Sequence, residues 1–319
     1  MKKILITGAS GFVSSYFIEF LENNQIKSFV LGLDIFKNDY PSTYKYVNRS
    51  FRQIDLLNTQ EIENIIYSFQ PDYILHLASY SSVAFSWKNP VLSFQNNTNI
   101  FLNLVEAVRK LNLSTRILSI GSSEEYGNIN SDHLPLYEYL SPDPINPYAV
   151  ARVSQELLSK VYSQGYGIEI IMTRSFNHLG PRQRDVFVIA SFAKQIAELK
   201  KQGLKEGTIS TGDLSIVRDF LDVRDVVKAY YLLLTKGKNG EIYNICSGRG
   251  VSLQEIVKKL SEMSGIKITT ITNPAYIRPN DNKIIIGSNE KIYNAVGWKP
   301  QLSIDQSLKD IYTYWCDIF

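Results

Sequence analysis

Apolar and polar positions follow two rhythms along the first half of the chain. Short continuous apolar runs stand at Lys3–Thr7, Ser28–Leu33, Phe51–Ile54, Tyr73–His76, Thr115–Ile120 and Gly167–Thr173. Between them, apolar residues recur at helical spacing in Phe12–Leu21, Thr59–Phe69, Val91–Lys110 and Asn146–Tyr162. The first rhythm predicts strands buried on both faces, and the second predicts amphipathic helices. Their alternation predicts an α/β fold with a doubly wound parallel sheet.

After Thr173 the rhythm loosens. Pro, Gly, Asn and Arg gather in Asn177–Asp185, and a helix is expected at Phe187–Lys200. A strand–helix pair follows at Asp219–Leu234 and a buried strand at Glu241–Cys246, before a mixed tail, Ser252–Phe319, with a loop at Asn273–Asn282. The pattern divides the chain into two lobes. Residues 1–175 plus about 213–246 form the expected dinucleotide-binding part. Residues 176–212 plus 247–319 form a smaller C-terminal α/β lobe for the substrate.

Composition narrows the class. With 319 residues, 44% of them hydrophobic and 20% charged, the chain can bury a full core. Lys plus Arg number 34 against 31 Asp plus Glu, a net of +3, and no Lys/Arg run exceeds two residues. Nucleic acid is therefore not an expected partner. The apolar run after Lys3 is too short for a secretory leader or a membrane span, and Gly8 breaks it. Two cysteines, Cys246 and Cys316, cannot staple a chain of this size, and no Cys/His spacing suits a metal. The expectation is a cytoplasmic protein with no metal and no membrane partner.

The first strand ends in Gly8-Ala9-Ser10-Gly11-Phe12-Val13-Ser14, directly before a helix. Gly8 permits a tight turn, and Gly11 lets the backbone approach a pyrophosphate at the positive end of the helix. Asp34 closes the second strand. A carboxylate there accepts from the adenosine ribose hydroxyls and repels a 2′-phosphate, so NAD is expected over NADP. Ser14 stands where the dinucleotide fingerprint has Gly, and is small enough for close helix–strand packing.

With the Gly8/Gly11 turn, Asp55-Leu56, His76-Leu77-Ala78-Ser79 and Ser122…Tyr148, the chain resembles the extended short-chain dehydrogenase/reductase family of nucleotide-sugar enzymes. Further strings are Gly121-Ser122-Ser123-Glu124-Glu125-Tyr126-Gly127, Phe176-Asn177-His178, Arg218-Asp219-Phe220, Cys246-Ser247-Gly248 and Arg278-Pro279. These look most like the reductases of GDP-4-keto-6-deoxy-mannose. The resemblance implies a Rossmann fold with Asp55 at the adenine and Ala78 and Ser79 along the nicotinamide side. His76, at a buried strand end, reads as structural.

Tyr148 and Arg152 lie four apart on one helix face. The family has Tyr-x-x-x-Lys there. Its tyrosine exchanges a proton with the substrate hydroxyl while the nicotinamide exchanges hydride with that carbon. Ionising a phenol near neutral pH needs about 4 kcal/mol of preference for the phenolate, which a nearby cation supplies. Arginine keeps that charge on a planar fork. The resemblance gives Ser122 and Ser123 to the substrate. Glu124 stands where dehydratases of the family carry a glutamate, but the reductases share the same string, so it does not discriminate. Glu125 reads as a solvated loop charge.

Asn177, Arg218 and Arg278 are the expected diphosphate donors, with Asp281 accepting from the nucleoside ribose. One of Arg182 and Arg184 is expected to line the pocket and the other to be solvated. The favoured reaction is reduction of a GDP-4-keto-6-deoxy-hexose. Oxidation at C4 with retained NADH, 4,6-dehydration and a non-catalytic nucleotide sensor are the alternatives. The apolar residues on Val91–Lys110 and Asn146–Tyr162 cover more than one face, which predicts a homodimer, and the resemblance implies that it forms through a four-helix bundle.

Overall fold

A computed structural model of the chain describes residues 1–37, 44–277 and 281–319. The first half alternates β1 (Lys2–Thr7), α1 (Phe12–Asn23), β2 (Ser28–Asp34), β3 (Val47–Gln53), α2 (Thr59–Phe69) and β4 (Tyr73–His76). It continues through α3 (Val83–Lys88), α4 (Pro90–Lys110), β5 (Arg116–Ser122), α5 (Pro147–Tyr166) and β6 (Glu169–Ser175). The second half holds β7 (Asn177–Leu179), α6 (Val188–Lys201), β8 (Glu206–Thr211), β9 (Val217–Asp222), α7 (Val223–Lys236) and β10 (Ile242–Ile245). It closes with β11 (Gly250–Ser252), α8 (Leu253–Ser264), β12 (Lys267–Thr272), β13 (Ile284–Ile285), α9 (Glu290–Val296) and α10 (Ile304–Ile318).

Seven strands form one sheet in the order β10-β6-β5-β4-β1-β2-β3, all parallel. Strand order reverses between β1 and β4, so their C-terminal ends frame the crevice where such sheets bind ligands. Both faces are covered. One layer packs α1 and α7 around Phe17, Leu21, Val226 and Tyr230; the other packs α2 and α4 around Ile62, Ile66, Phe101 and Leu104. The expected strands and helices stand within a few residues of these bounds, except that β3 begins four residues before Phe51.

The expected strand–helix pair at Asp219–Leu234 divides between the lobes. The helix, α7, packs on the main sheet, but β9 belongs to a separate four-stranded sheet with β7, β11 and β13. A two-stranded sheet, β8 with β12, completes the smaller lobe around Phe192, Ile196, Ile256 and Leu260. Strand β10 does return to the main sheet beside β6. Among the described residues, no helix is long and apolar enough to cross a membrane, and no group of His, Cys, Asp or Glu could hold a metal.

Candidate active site

The turn after β1 is built for close approach. Gly8 has φ 70°, and a Cβ there would lie 2.8 Å from the Ala78 backbone nitrogen, so only glycine fits between β1 and the loop after β4. The Gly11 N–H closes the turn on Gly8 O at 3.0 Å, and α1 starts at Phe12 with no acidic residue in its first turn. Phe12 and Val13 pack against the core. The Asp34 carboxylate faces this turn, accepting from the Ser10 N–H at 2.9 Å and the Phe36 N–H at 3.0 Å. Asp55 is exposed beyond β3 and Leu56 is buried behind it. This cradle fits a dinucleotide: a helix N-terminus for the pyrophosphate and a fixed carboxylate one strand away for a ribose.

Thr7 joins β1 to the loop after β4. Its hydroxyl lies 2.9 Å from His76 Nδ1 and accepts from the Ala78 N–H at 3.2 Å. His76 is fully buried, and burial with the Arg152 charge beside it pushes its pKa down to about 3. It is a neutral structural ring.

The Tyr148–Arg152 pair sits where β5 meets α5. Tyr148 and Arg152 are both buried, at 6% and 4% exposure. Arg152 donates Nε to Tyr148 Oη at 3.2 Å and Nη1 to Ile120 O at 2.9 Å and Gln155 Oε1 at 2.7 Å. Its Nη2 reaches Ser79 Oγ at 2.5 Å. Four of the five guanidinium N–H groups are thereby used among the described residues, and one on Nη2 remains. Among the described residues no carboxylate pairs with Arg152, so the field of a buried cation falls on the phenol oxygen.

Asn146 couples this helix to the Ser122 turn. Its Oδ1 caps α5 by accepting from the Ala149 N–H at 2.8 Å, while its Nδ2 donates to Glu124 Oε2 at 2.9 Å. Ser122 Oγ accepts from the Glu124 N–H at 3.2 Å, which leaves its own proton to donate. Ser123 is buried alongside. Glu125 departs from the solvated charge expected of it. It is fully buried, and its Oε1 accepts from the Ser122 N–H at 2.6 Å, completing a capping box. Asn146 and Gln155 were missed in the sequence. An asparagine before a helix-starting proline and a polar residue three after Arg152 on the same face were the available signals.

The smaller lobe contributes less openly. Arg218 is buried and directs Nη2 to Asp281 Oδ1 at 2.5 Å and Nη1 to Asn282 O at 2.8 Å. Asp281, expected as a ribose acceptor, is thus held by an expected diphosphate donor. Asn282 Nδ2 donates to Gly127 O at 2.7 Å, which ties this pair to the end of the Ser122 turn. Asn177 is exposed on β7. Arg182 is a correction: both its terminal nitrogens bind Glu19 on α1, at 2.6 and 2.8 Å, and it stacks over Tyr16. Arg184 is exposed. Arg278 lies outside the described residues. Asp219, fully buried, accepts from Ser247 N and Oγ and from Gly248 N, and burial pushes its pKa up to about 6.

A sheet of this topology with a glycine turn at its switch point and a Tyr–Arg pair beside a serine defines a nucleotide-dependent oxidoreductase. The match to the family described as GDP-mannose 4,6 dehydratase runs over residues 5–311, and the chain belongs to that family of extended short-chain dehydrogenases/reductases. It is an NAD(P)-dependent oxidoreductase-type enzyme. A GDP-6-deoxy-D-mannose reductase of Pseudomonas aeruginosa is 33% identical over 98% of this chain and 97% of its own. The solved structure of RMD from Pseudomonas aeruginosa, complexed with NADPH, superposes with a TM-score of 0.86 at 32% identity, covering 100% of both chains. A Thermus thermophilus UDP-glucose 4-epimerase complexed with NAD superposes at 0.83, with 28% identity over 98% of each chain.

Proposed function

We propose that the protein reduces the 4-keto group of a GDP-linked 4-keto-6-deoxy-hexose. The observation that carries the reaction type is Tyr148 Oη held by Arg152 Nε at 3.2 Å, on a helix tied through Asn146 to the Ser122 turn. Similarity over nearly the whole chain to a GDP-6-deoxy-D-mannose reductase supports the sugar.

The dinucleotide, when bound, supplies the hydride that reaches C4. Gly8, Ser10, Gly11, Phe12 and Val13 would cradle its pyrophosphate, Asp34 its adenosine ribose, Asp55 and Leu56 its adenine. Leu77, Ala78 and Ser79 would line the nicotinamide side. Ser122 donates to the substrate oxygen and holds it against Tyr148, which delivers the proton. Arg152 would stabilise the phenolate left behind, and its remaining Nη2 proton would serve a ribose hydroxyl. Arg218, Asn177 and Arg278 would serve the diphosphate. Glu124 anchors α5 through Asn146. The fork of Arg182 is taken by Glu19, so no substrate contact is assigned to it.

The cofactor is NADH in preference to NADPH, because Asp34 presents a carboxylate where a 2′-phosphate would have to sit. The solved relative complexed with NADPH makes this a sharp test. Spectrophotometry with a GDP-4-keto-6-deoxy-hexose is expected to show faster oxidation of NADH than of NADPH, and Asp34→Ala is expected to narrow the ratio. Equal use of both by the wild type would remove the role of Asp34, and exposed Lys37 would then be the residue to test. The protein is proposed to act as a homodimer through α4 and α5.

A further inference from the structure

Behind the Ser122 turn lies a group of buried charges that the reaction does not use. Glu125, Arg174 and Glu156 are 0%, 1% and 4% exposed. Glu156 is fully satisfied. Arg174 donates Nε to its Oε2 at 2.9 Å and Nη2 to its Oε1 at 3.1 Å, and Lys160 Nζ reaches Oε1 at 2.9 Å. Glu125 is not. Its Oε1 accepts from the Ser122 N–H, but among the described residues no donor reaches Oε2.

The group facing Glu125 is the Glu156 carboxylate, which offers only lone pairs. Arg174 cannot turn to help, because its third nitrogen is bound to Leu140 O at 2.9 Å and its plane lies over the Tyr126 ring. The Tyr126 hydroxyl is itself paired with Asn244 Oδ1 at 2.7 Å. On the strand side, Gly121 makes the seat possible, since a Cβ there would collide with Glu125 Oε1.

Burial and the neighbouring Glu156 carboxylate disfavour a second negative charge at Glu125, and one proton on its orphan Oε2 would supply the donor that this position lacks. We propose that Glu125 is a neutral carboxylic acid at physiological pH, donating Oε2–H to Glu156 and accepting the Ser122 N–H, and so positions Ser122 for catalysis. Burial first and the Glu156 charge second push the Glu125 acid well up. Against its own burial, Arg174 and Lys160 hold Glu156 down, which assigns the proton to Glu125. The charged and titratable groups around the pair are Tyr126 on its own turn, Arg152, Glu156 and Lys160 on α5, Arg174 on β6, and Glu138 beyond Arg174. Ionising Glu125 sets two like charges against each other, and the carboxyl that moves is the one holding Ser122.

The protonation does not depend on the proposed substrate; only the positioning role rests on that reading. Glu125→Gln imitates the neutral acid, one oxygen accepting and one N–H donating. An infrared carboxylic-acid carbonyl band is expected in the wild type and absent in E125Q. The stability test has a definite sign. A group whose folded pKa is raised stabilises most below its unfolded value, about 4.3 for Glu, and that stability is lost as pH rises. Relative to E125Q, the wild type is therefore expected to lose stability from about pH 4 upward, with a slope of about one proton. In turnover, wild-type kcat is expected to fall where rising pH ionises Glu125, and the E125Q profile is expected to lack that fall. Glu125→Ala is expected to lower kcat about tenfold or more with KM for the dinucleotide unchanged. Absence of the band together with parallel stability curves overturns the protonation. An unchanged kcat in Glu125→Ala overturns the positioning role. If the wild type does not turn over the keto sugar, the proposed function fails, while the infrared and stability results still decide Glu125.

Discussion

At residue scale, the substitution of arginine for lysine four residues after Tyr148 reshapes more than the charge. A lysine offers three donors from a point, whereas Arg152 spreads its fork across Tyr148, Ile120 O, Gln155 and Ser79. The i, i+4 offset was legible in the sequence. The acceptors were not, because they arrive from β5 and from the loop after β4. Tyr148→Phe removes the proton donor and is expected to lower the rate by ~10²–10⁴-fold with cofactor binding intact. Arg152→Ala is expected to cost about 10²-fold and to move the pH–rate profile to higher pH. Arg152→Lys keeps a cation but abandons the Ile120 O and Gln155 contacts, so its rate is expected to fall between those of the wild type and Arg152→Ala without moving the profile. Measurement with saturating dinucleotide separates these outcomes; an unmoved profile and rate in Arg152→Ala would place Arg152 outside the mechanism.

The buried imidazoles give a second residue-scale test. Burial pushes His76 down to about 3 and His178 down to about 4. For a histidine with a lowered folded pKa, the stabilising contribution is complete above its unfolded value of about 6.5 and is lost as pH falls toward the folded value. Neither ring's proton NMR signals are expected to move between pH 8 and pH 5. A titration of the His76 signals centred near 6.5 would mean that the pocket under Thr7 is open to water.

At the scale of elements, periodicity located the helices but not what their faces touch. Ile100, Phe101, Leu104, Val105 and Val108 all point into this chain's own core. The stripe left outside is Val91, Leu92 and Phe94 on α4, with Val150, Leu157 and Val161 on α5, of which Leu157 is 53% exposed. The two helices pack side by side, and the proposed dimer would cover these exposed apolar residues with a second copy. Leu157→Glu is expected to convert a dimer to a monomer in light scattering at micromolar concentration. A wild type already monomeric there would contradict the bundle. Strand β9 was misplaced for a related reason. A strand leading into an amphipathic helix reads as a βα unit, and nothing local says which sheet takes the strand. Glu125 was misread although its signal was present, since Ser122-x-x-Glu125 is the spacing of a capping box.

At the scale of the whole molecule, polar side chains tie the smaller sheets to the ends of the main-sheet strands. Asp219 binds the Cys246–Gly248 turn as β10 leaves the main sheet, and Asn282 binds Gly127 at the end of the Ser122 turn. The strings that carried the family resemblance are therefore largely the pieces that meet across the crevice. Contacts between these parts became visible only in three dimensions: Arg218 pairs with Asp281, and outside those strings Arg182 pairs with Glu19. The central claim, hydride delivery to C4 of a GDP-linked keto sugar, is tested most directly with deuterium-labelled NADH and GDP-4-keto-6-deoxy-mannose. NMR and mass spectrometry of the product are expected to show one deuterium, at C4, in a GDP-6-deoxy-hexose. Recovery of the unreduced keto sugar with the labelled cofactor unconsumed would contradict the account.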